Sequence, residues 1–123
     1  MSFNNECPKI ITIMADYGFA YAWDEDGAGT GLAEYFPEIP EIALIEAELD
    51  QWSRWFSQVE EFDPLFPWDE FHLKGLALAH RLYQAIKHTD VPVFYWPPFE
   101  DPQRKEKEKI AITGLFDNFQ ERR

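Results

Sequence analysis

The chain has 123 residues, of which 46% are hydrophobic and 17% aromatic, and its formal net charge is −12. The length fits one domain over residues 1–123, and the apolar fraction is enough for a core, which argues against wholesale disorder. No run approaches the roughly 20 apolar residues of a membrane span, and "MSFNNECPKI" lacks the basic and apolar regions of a secretion signal. Cys7 is the only cysteine, so we expect no internal disulfide and a cytoplasmic protein.

The charge is unevenly distributed along the chain. Residues 1–73 hold 16 acids and two bases, a net of −14, whereas residues 74–123 hold 7 acids and 9 bases, a net of +2. An acidic surface repels phosphates, so we expect no direct binding to nucleic acid. It accelerates encounter with a basic protein instead. The competing explanation is that the negative charge only keeps the protein soluble and serves no partner.

The first predicted element is a strand. Apolar residues occupy every odd position from Ile11 to Trp23, which is the alternation of a strand with one buried face. A hairpin turning at Tyr17 and Gly18 would place Asp16 opposite Phe19 on one face and break that alternation. The pattern therefore favours one long strand that is bent or bulged at Gly18.

Two amphipathic helices follow. The first is predicted over about five turns, from apolar residues spaced three and four apart, and Trp55 widens this stripe. Its members are Ile42, Ile45, Leu49, Trp52, Phe56 and Val59. The second begins near Pro67, with acids in its first turn where the helix dipole favours them. Its buried stripe is predicted to be Phe71, Leu76, Ala79, Leu82, Tyr83 and Ile86.

The rest of the chain adds short strands and a charged segment. Residues 91–96 are β-branched and aromatic and predict a strand ended by two prolines. Residues 101–109 suggest a charged helical turn, residues 110–113 an edge strand, and residues 98–123 a loosely attached charged tail. This order predicts an α+β fold in which a small sheet, with the long N-terminal strand and C-terminal strands, packs against one layer of two helices.

The segment "DEDGAGTG" (24–31) resembles a ligand-binding loop at first sight. A Walker loop requires Lys and then Ser or Thr after its last glycine, but Leu32 follows, and G-x-G-x-G is not the dinucleotide fingerprint. Two EF-hand registers place Ala33 or Tyr35 where the bidentate Glu is required. The segment is therefore interpreted as a polar turn, and we expect no metal, no cofactor and no catalytic residues.

Acids and large aromatic residues interleave in three stretches, at 21–26, 52–70 and 94–101. Protein interfaces use aromatic side chains as anchors, and carboxylates at the rim set register and association rate. The sequence thus predicts a partner-binding surface rather than an active site. Its candidate residues are Trp23, Asp24, Glu25, Asp26, Glu60, Glu61, Asp63, Trp68, Asp69, Phe99, Glu100 and Asp101.

Three quoted segments resemble a known group of proteins. "ADYGFAYAWDEDG" (15–27), "FHLKGLALAHRLYQAI" (71–86) and "VPVFY" (91–95) are similar to motifs of small acidic bacterial immunity proteins, encoded beside polymorphic or contact-dependent growth-inhibition toxins. The resemblance spans roughly residues 11–96. It implies a protein that neutralises one cognate toxin, many of which are nucleases with basic clefts, by blocking the active site or substrate cleft. It implies neither the toxin's identity nor the contact residues.

Two other functions stay open from the sequence. One is a small-molecule or metal-dependent enzyme, or a ligand-binding domain, that uses the acids at 24–26. The other is a generic acidic adaptor between proteins. The sequence also leaves the oligomeric state open.

Overall fold

The chain folds around a four-stranded mixed sheet with two helices. A computed structural model describes residues 7–18, 20–58, 63–98 and 109–112. The elements in chain order are β1 (Ile11–Ile13), β2 (Ala22–Trp23), α1 (Glu41–Phe56), α2 (Trp68–Ile86), β3 (Val93–Tyr95) and β4 (Ile110–Ile112). The sheet order is β2-β1-β3-β4, with β1 parallel to β3 and the outer pairs antiparallel. The predicted α+β class is confirmed.

The predicted long N-terminal strand is wrong, because the segment is a hairpin. β1 and β2 are antiparallel, with Thr12 opposite Trp23 and Ile13 opposite Ala22. The chain reverses near Gly18, whose N–H donates to the Asp16 carboxylate at 2.9 Å. Such an Asx turn reverses the chain locally. All three residues of β1 are buried, so its two faces are not distinguished by burial. The alternation of apolar residues could therefore not decide between one long strand and a hairpin of two short strands.

The two helices form an antiparallel pair. The later part of α1 meets the start of α2, where Trp52 stacks on Phe71 with ring centroids 4.7 Å apart. The beginning of α1 lies beside the later part of α2, where Arg81 Nε lies 4.0 Å from Glu41 Oε2. Together the helices form the crossover that a parallel β1–β3 pair requires.

The stripes of both helices are largely as predicted. In α1 the described members of the stripe are all buried, and Val59 lies outside the described residues. In α2, which begins one residue after Pro67, Leu76 and Tyr83 are only half-buried. Gly75 and Leu78 are buried in their place, so the true stripe is rotated slightly from the predicted one.

The core lies between the helix pair and one face of the sheet. That face carries Ile11 and Ile13 of β1 and Val93 and Tyr95 of β3, each no more than 1% exposed. A Cβ on Gly75 would lie 2.5 Å from Trp52 Cζ2 and 2.6 Å from Tyr95 Cε1. The absence of a side chain at this position lets α2 approach both rings, which sets the distance between the helices and the sheet.

The C-terminal strands agree with the sequence prediction. Residues 91–96 contain β3, and β4 is an edge strand that pairs with β3 through Phe94 and Ala111. β4 lies within the predicted charged tail, so that part of it belongs to the sheet. The predicted helical turn at 101–109 lies outside the described residues except for Lys109. No helix in the described part of the chain is long and apolar enough to cross a membrane.

Candidate functional site

The acidic segment is a tight turn that extends β2, as the sequence predicts. Asp24 N–H donates to the carbonyl of Ala28 at 2.8 Å, and Gly27 N–H donates to the carbonyl of Asp24 at 3.0 Å. Gly27 has φ 76°, the left-handed conformation that favours glycine. A turn followed by a left-handed glycine is a common short hairpin connection. We call residues 24–28 the acidic turn.

Within the acidic turn, one carboxylate stabilises the backbone while two others face solvent. Asp24 Oδ1 accepts the N–H groups of Asp26 and Ala28 at 2.9 Å each. Glu25 and Asp26 are exposed. Hydrogen bonds from its own backbone N–H and from that of Lys9 lower the pKa of the Glu25 carboxyl. The Asp24 carboxylate therefore holds the loop's shape, and Glu25 and Asp26 present charge to solvent.

The neighbouring residues are also occupied by structural contacts. Trp23 is half-buried, and its Nε1 donates to the carbonyl of Met14 at 2.9 Å. Cys7 is exposed as a residue, but its thiol is partly covered. This partial burial, followed by the nearby Glu25 carboxylate, raises the pKa of the thiol. Over the described ranges, no group of three or more His, Cys, Asp or Glu side chains is placed to hold a metal ion.

The second predicted region, before α2, divides into a buried and an exposed part. Trp68 is only 8% exposed and packs among Phe56, Phe66 and Phe71. Its Nε1 donates to the carbonyl of Asp63 at 2.7 Å. Trp68 is therefore a core residue with little area to offer a partner, whereas Asp69 is exposed.

The structure does not bring the predicted residues into one patch. Glu25 contacts the backbone N–H of Lys9 just before β1. Tyr17, which follows β1, stacks on Phe56, and Phe56 meets Trp68 edge-on. The acidic turn and residues 63–69 thus lie at opposite ends of β1. The predicted residues Glu60, Glu61, Phe99, Glu100 and Asp101 lie outside the described residues.

A groove lies between α1 and α2. It has a volume of about 280 Å³ and is lined by residues of both helices. We call it the helix-pair groove, and it is lined by Glu48, Gln51, Trp52, Trp55, Glu70 and Lys74. Trp52 is buried and forms the floor, and Trp55 is half-buried at one end, where it meets Phe66. The groove thus combines aromatic surface with two carboxylates.

The charges around the groove are only partly paired with each other. Glu48 Oε2 accepts a hydrogen bond from Arg81 Nη1 at 2.8 Å, and Lys74 Nζ lies 3.5 Å from Glu48 Oε1. The hydrogen bond from Arg81 is the main reason that the pKa of the Glu48 carboxyl is lowered. Glu70 is exposed, and no ion pair is formed by it within the described residues. Glu70 is therefore the groove's available anionic side chain.

Three large apolar side chains that neighbour groove residues or Phe66 along the chain are exposed. Leu44 is 63% exposed and lies one turn from Glu48 on the same face of α1, while Leu73 is 60% exposed beside Lys74 on α2. Leu65, next to Phe66 at the groove's aromatic end, is 90% exposed. Exposed apolar groups rimmed by charges are typical of interaction surfaces.

The sequence prediction placed Trp68 and Asp69 of α2 in a partner-binding surface but included in it none of the residues that line the groove, because it considered the two helices separately. Trp55 was noted as widening the buried stripe of α1, and it shares a face with Leu44, Glu48 and Gln51 at spacings of four and three residues. That second stripe, with Leu73 and Lys74 on the other helix, was the signal that could have located the groove.

No protein-family model, no curated protein and no solved structure matches this chain. The chemistry of its own surface is therefore the basis for assigning a role. That surface offers aromatic and aliphatic contact area next to carboxylates, which suits a non-covalent partner of opposite charge.

Proposed function

We propose that the chain is an immunity protein that binds one cognate bacterial toxin and blocks the toxin's active site or substrate cleft. The proposal joins the sequence resemblance to the surface chemistry of the helix pair. The observation that carries it is the surface formed by α1, α2 and the segment just before α2, where three exposed leucines and Trp55 occur together with Glu48, Glu70 and Asp69.

The partner's chemistry follows from the charge. The first 73 residues carry a net charge of −14, and their bases are only Lys9 and Arg54. Arg54 pairs with Asp50 on its own helix at 2.8 Å, and both charges are already counted in that net value. A basic cleft that binds nucleic acid phosphates is complementary to such a surface. The proposed target is therefore a basic nuclease domain.

The proposed inhibition has two physical components. Long-range attraction between the acidic surface and the basic cleft speeds encounter, and this component weakens as salt screens the charges. Burial of Leu65, Leu73 and Trp55 against the toxin then slows dissociation, because apolar and aromatic anchors contribute most to interface affinity. Once bound, the acidic surface excludes the nucleic acid from the cleft.

The proposal is tested with the purified chain and the purified toxin domain encoded beside it. We expect a 1:1 complex by calorimetry and loss of nuclease activity that added substrate relieves competitively. The variant Leu65→Asp with Leu73→Asp should weaken binding at least tenfold while the fold is retained, because both side chains are exposed. Ala111→Asp, at an exposed position of β4 outside the helix pair, is a control for the general effect of adding an exposed charge. A complex that forms without reducing nuclease activity would point to an adaptor instead.

A further inference from the structure

We infer that the helix-pair groove is a receptor for a single guanidinium group, supplied by an arginine side chain of the protein partner. The inference rests on the proposed function, since it names the group by which a basic partner is recognised. It is carried by the juxtaposition of Trp55, Glu70 and Glu48 around a space of about 280 Å³.

A cation already lies in the groove, and it is weakly held. Lys74 Nζ lies 3.5 Å from Glu48 Oε1, whereas a well-formed charged hydrogen bond is about 2.7–2.9 Å long. The Lys74 side chain is 51% exposed, so moving it into water costs little. Lys74 thus marks a cation position from which an incoming group can displace it.

Glu48 is held ready by a different residue. Arg81 Nη1 binds Glu48 Oε2 at 2.8 Å and Arg81 Nε lies 4.0 Å from Glu41. These contacts fix the Glu48 carboxylate on one side and leave Oε1 directed to Lys74. Since Arg81 lies outside the groove lining, it can stay in place while Lys74 is exchanged.

The aromatic walls favour arginine over lysine. A guanidinium is planar, stacks on indole rings and is less strongly hydrated than an ammonium, so it loses less on entering an aromatic groove. Its several N–H donors lie in a planar fork that matches carboxylates such as those of Glu70 and Glu48, whereas an ammonium offers a compact point charge. Trp55 is half-buried and tilted against Phe66, with centroids 5.1 Å apart, so its ring is held in a defined orientation.

The test uses the full chain and a peptide probe, and it needs no toxin. Acetyl-Gly-Arg-Gly-amide is titrated while the Trp55 indole N–H is followed by NMR, with the resonance identified by Trp55→Phe. We expect saturable millimolar binding, at least about threefold weaker binding of the lysine peptide, and no binding of the neutral citrulline peptide. Glu70→Gln should weaken arginine binding by about tenfold.

Matched variants separate the groove from the general charge of the protein. Glu38→Gln removes the same charge at an exposed position outside the groove lining and should change binding by less than about twofold. Lys74→Gln should strengthen arginine binding by about threefold because it removes the competing cation. Lys87→Gln removes an exposed lysine just after α2 and should leave arginine binding unchanged.

Several results would overturn the inference. These are equal binding of the citrulline peptide, equal effects of Glu70→Gln and Glu38→Gln, or an unchanged Trp55 resonance at saturating peptide. Failure of the chain to bind any toxin would instead remove the proposed function, which the peptide titration does not measure. The two failures are therefore distinguishable.

Discussion

The hydroxyl of Tyr21 donates a 2.8 Å hydrogen bond to the carboxylate of Glu46, which joins the N-terminal hairpin to the first helix. The same carboxylate accepts the backbone N–H groups of Leu32 and Ala33 at 3.0 Å each. One half-buried side chain therefore satisfies donors from two separate segments. It holds the loop after the acidic turn against α1, in a stretch where no regular element does so.

Replacing Glu46 should destabilise the fold more than its partial exposure suggests. Glu46→Ala leaves three donors without their charged acceptor, and we expect a loss of about 2 kcal/mol in the free energy of unfolding. Tyr21→Phe removes a single hydrogen bond and should cost about 1 kcal/mol. Urea denaturation measures both. Glu38→Ala, at an exposed acid outside this network, should stay within about 0.5 kcal/mol of wild type. Equal stability of Glu46→Ala and Glu38→Ala would contradict the structural role of Glu46.

Tyr21 should also make stability depend on alkaline pH. Burial, followed by the hydrogen bond to Glu46, raises the pKa of Tyr21 well above its ordinary value. The folded state then holds the phenolic proton more tightly than the unfolded state, so this contribution is complete below about pH 10. As pH rises further toward the raised pKa, it is progressively lost. Wild type should therefore lose stability more steeply than Tyr21→Phe above about pH 10, by urea denaturation. If the stability of both proteins fell in parallel with pH, burial and the Tyr21–Glu46 hydrogen bond would not be raising the pKa of Tyr21.

Gly75 should not tolerate a methyl group. In an exposed helix Gly→Ala is stabilising by about 1 kcal/mol. Here the added Cβ would lie within 2.6 Å of the rings of Trp52 and Tyr95, and both rings are buried. We expect Gly75→Ala to destabilise by about 2 kcal/mol through overpacking. Gly29→Ala is the matched control, since its new Cβ would meet only Ala20 Cβ at 3.7 Å. A stabilised Gly75→Ala variant would mean that α2 can move away from the sheet.

The helices were predictable because their buried stripes repeat at helical spacing and their ends carry recognisable signals. Trp52 and Phe71 were correctly expected in the core. The hairpin was not predicted, because the alternation of apolar residues continues without a break across the turn that forms it. The Asp16 carboxylate stabilises the reversal at Gly18, and a strand buried throughout conceals which face each residue occupies. The groove depends on which residues of two helices become neighbours, and no single helix pattern contains that information.

The acidic turn offers a test of electrostatic steering. Asp24 should be kept, since its carboxylate accepts two backbone N–H groups within the turn. Glu25→Gln with Asp26→Asn should slow association with a basic partner by about two- to fivefold at low salt, and by less at high salt. Both side chains are exposed, and a glutamine at position 25 keeps an oxygen that can accept the Lys9 N–H, so the free energy of unfolding should change by less than about 1 kcal/mol. Stopped-flow association rates provide the measurement. Unchanged rates at low salt would remove the turn from the encounter surface.

The central claim is that this chain neutralises a toxin, and growth rescue tests it most directly. The C-terminal domain of the protein encoded immediately upstream is induced in bacteria with and without this chain, and growth is recorded. We predict that the domain arrests growth, that this chain restores it, and that an unrelated acidic protein of similar size does not. A toxic domain whose effect is unchanged by this chain, or an upstream domain that is harmless, would contradict the proposed function.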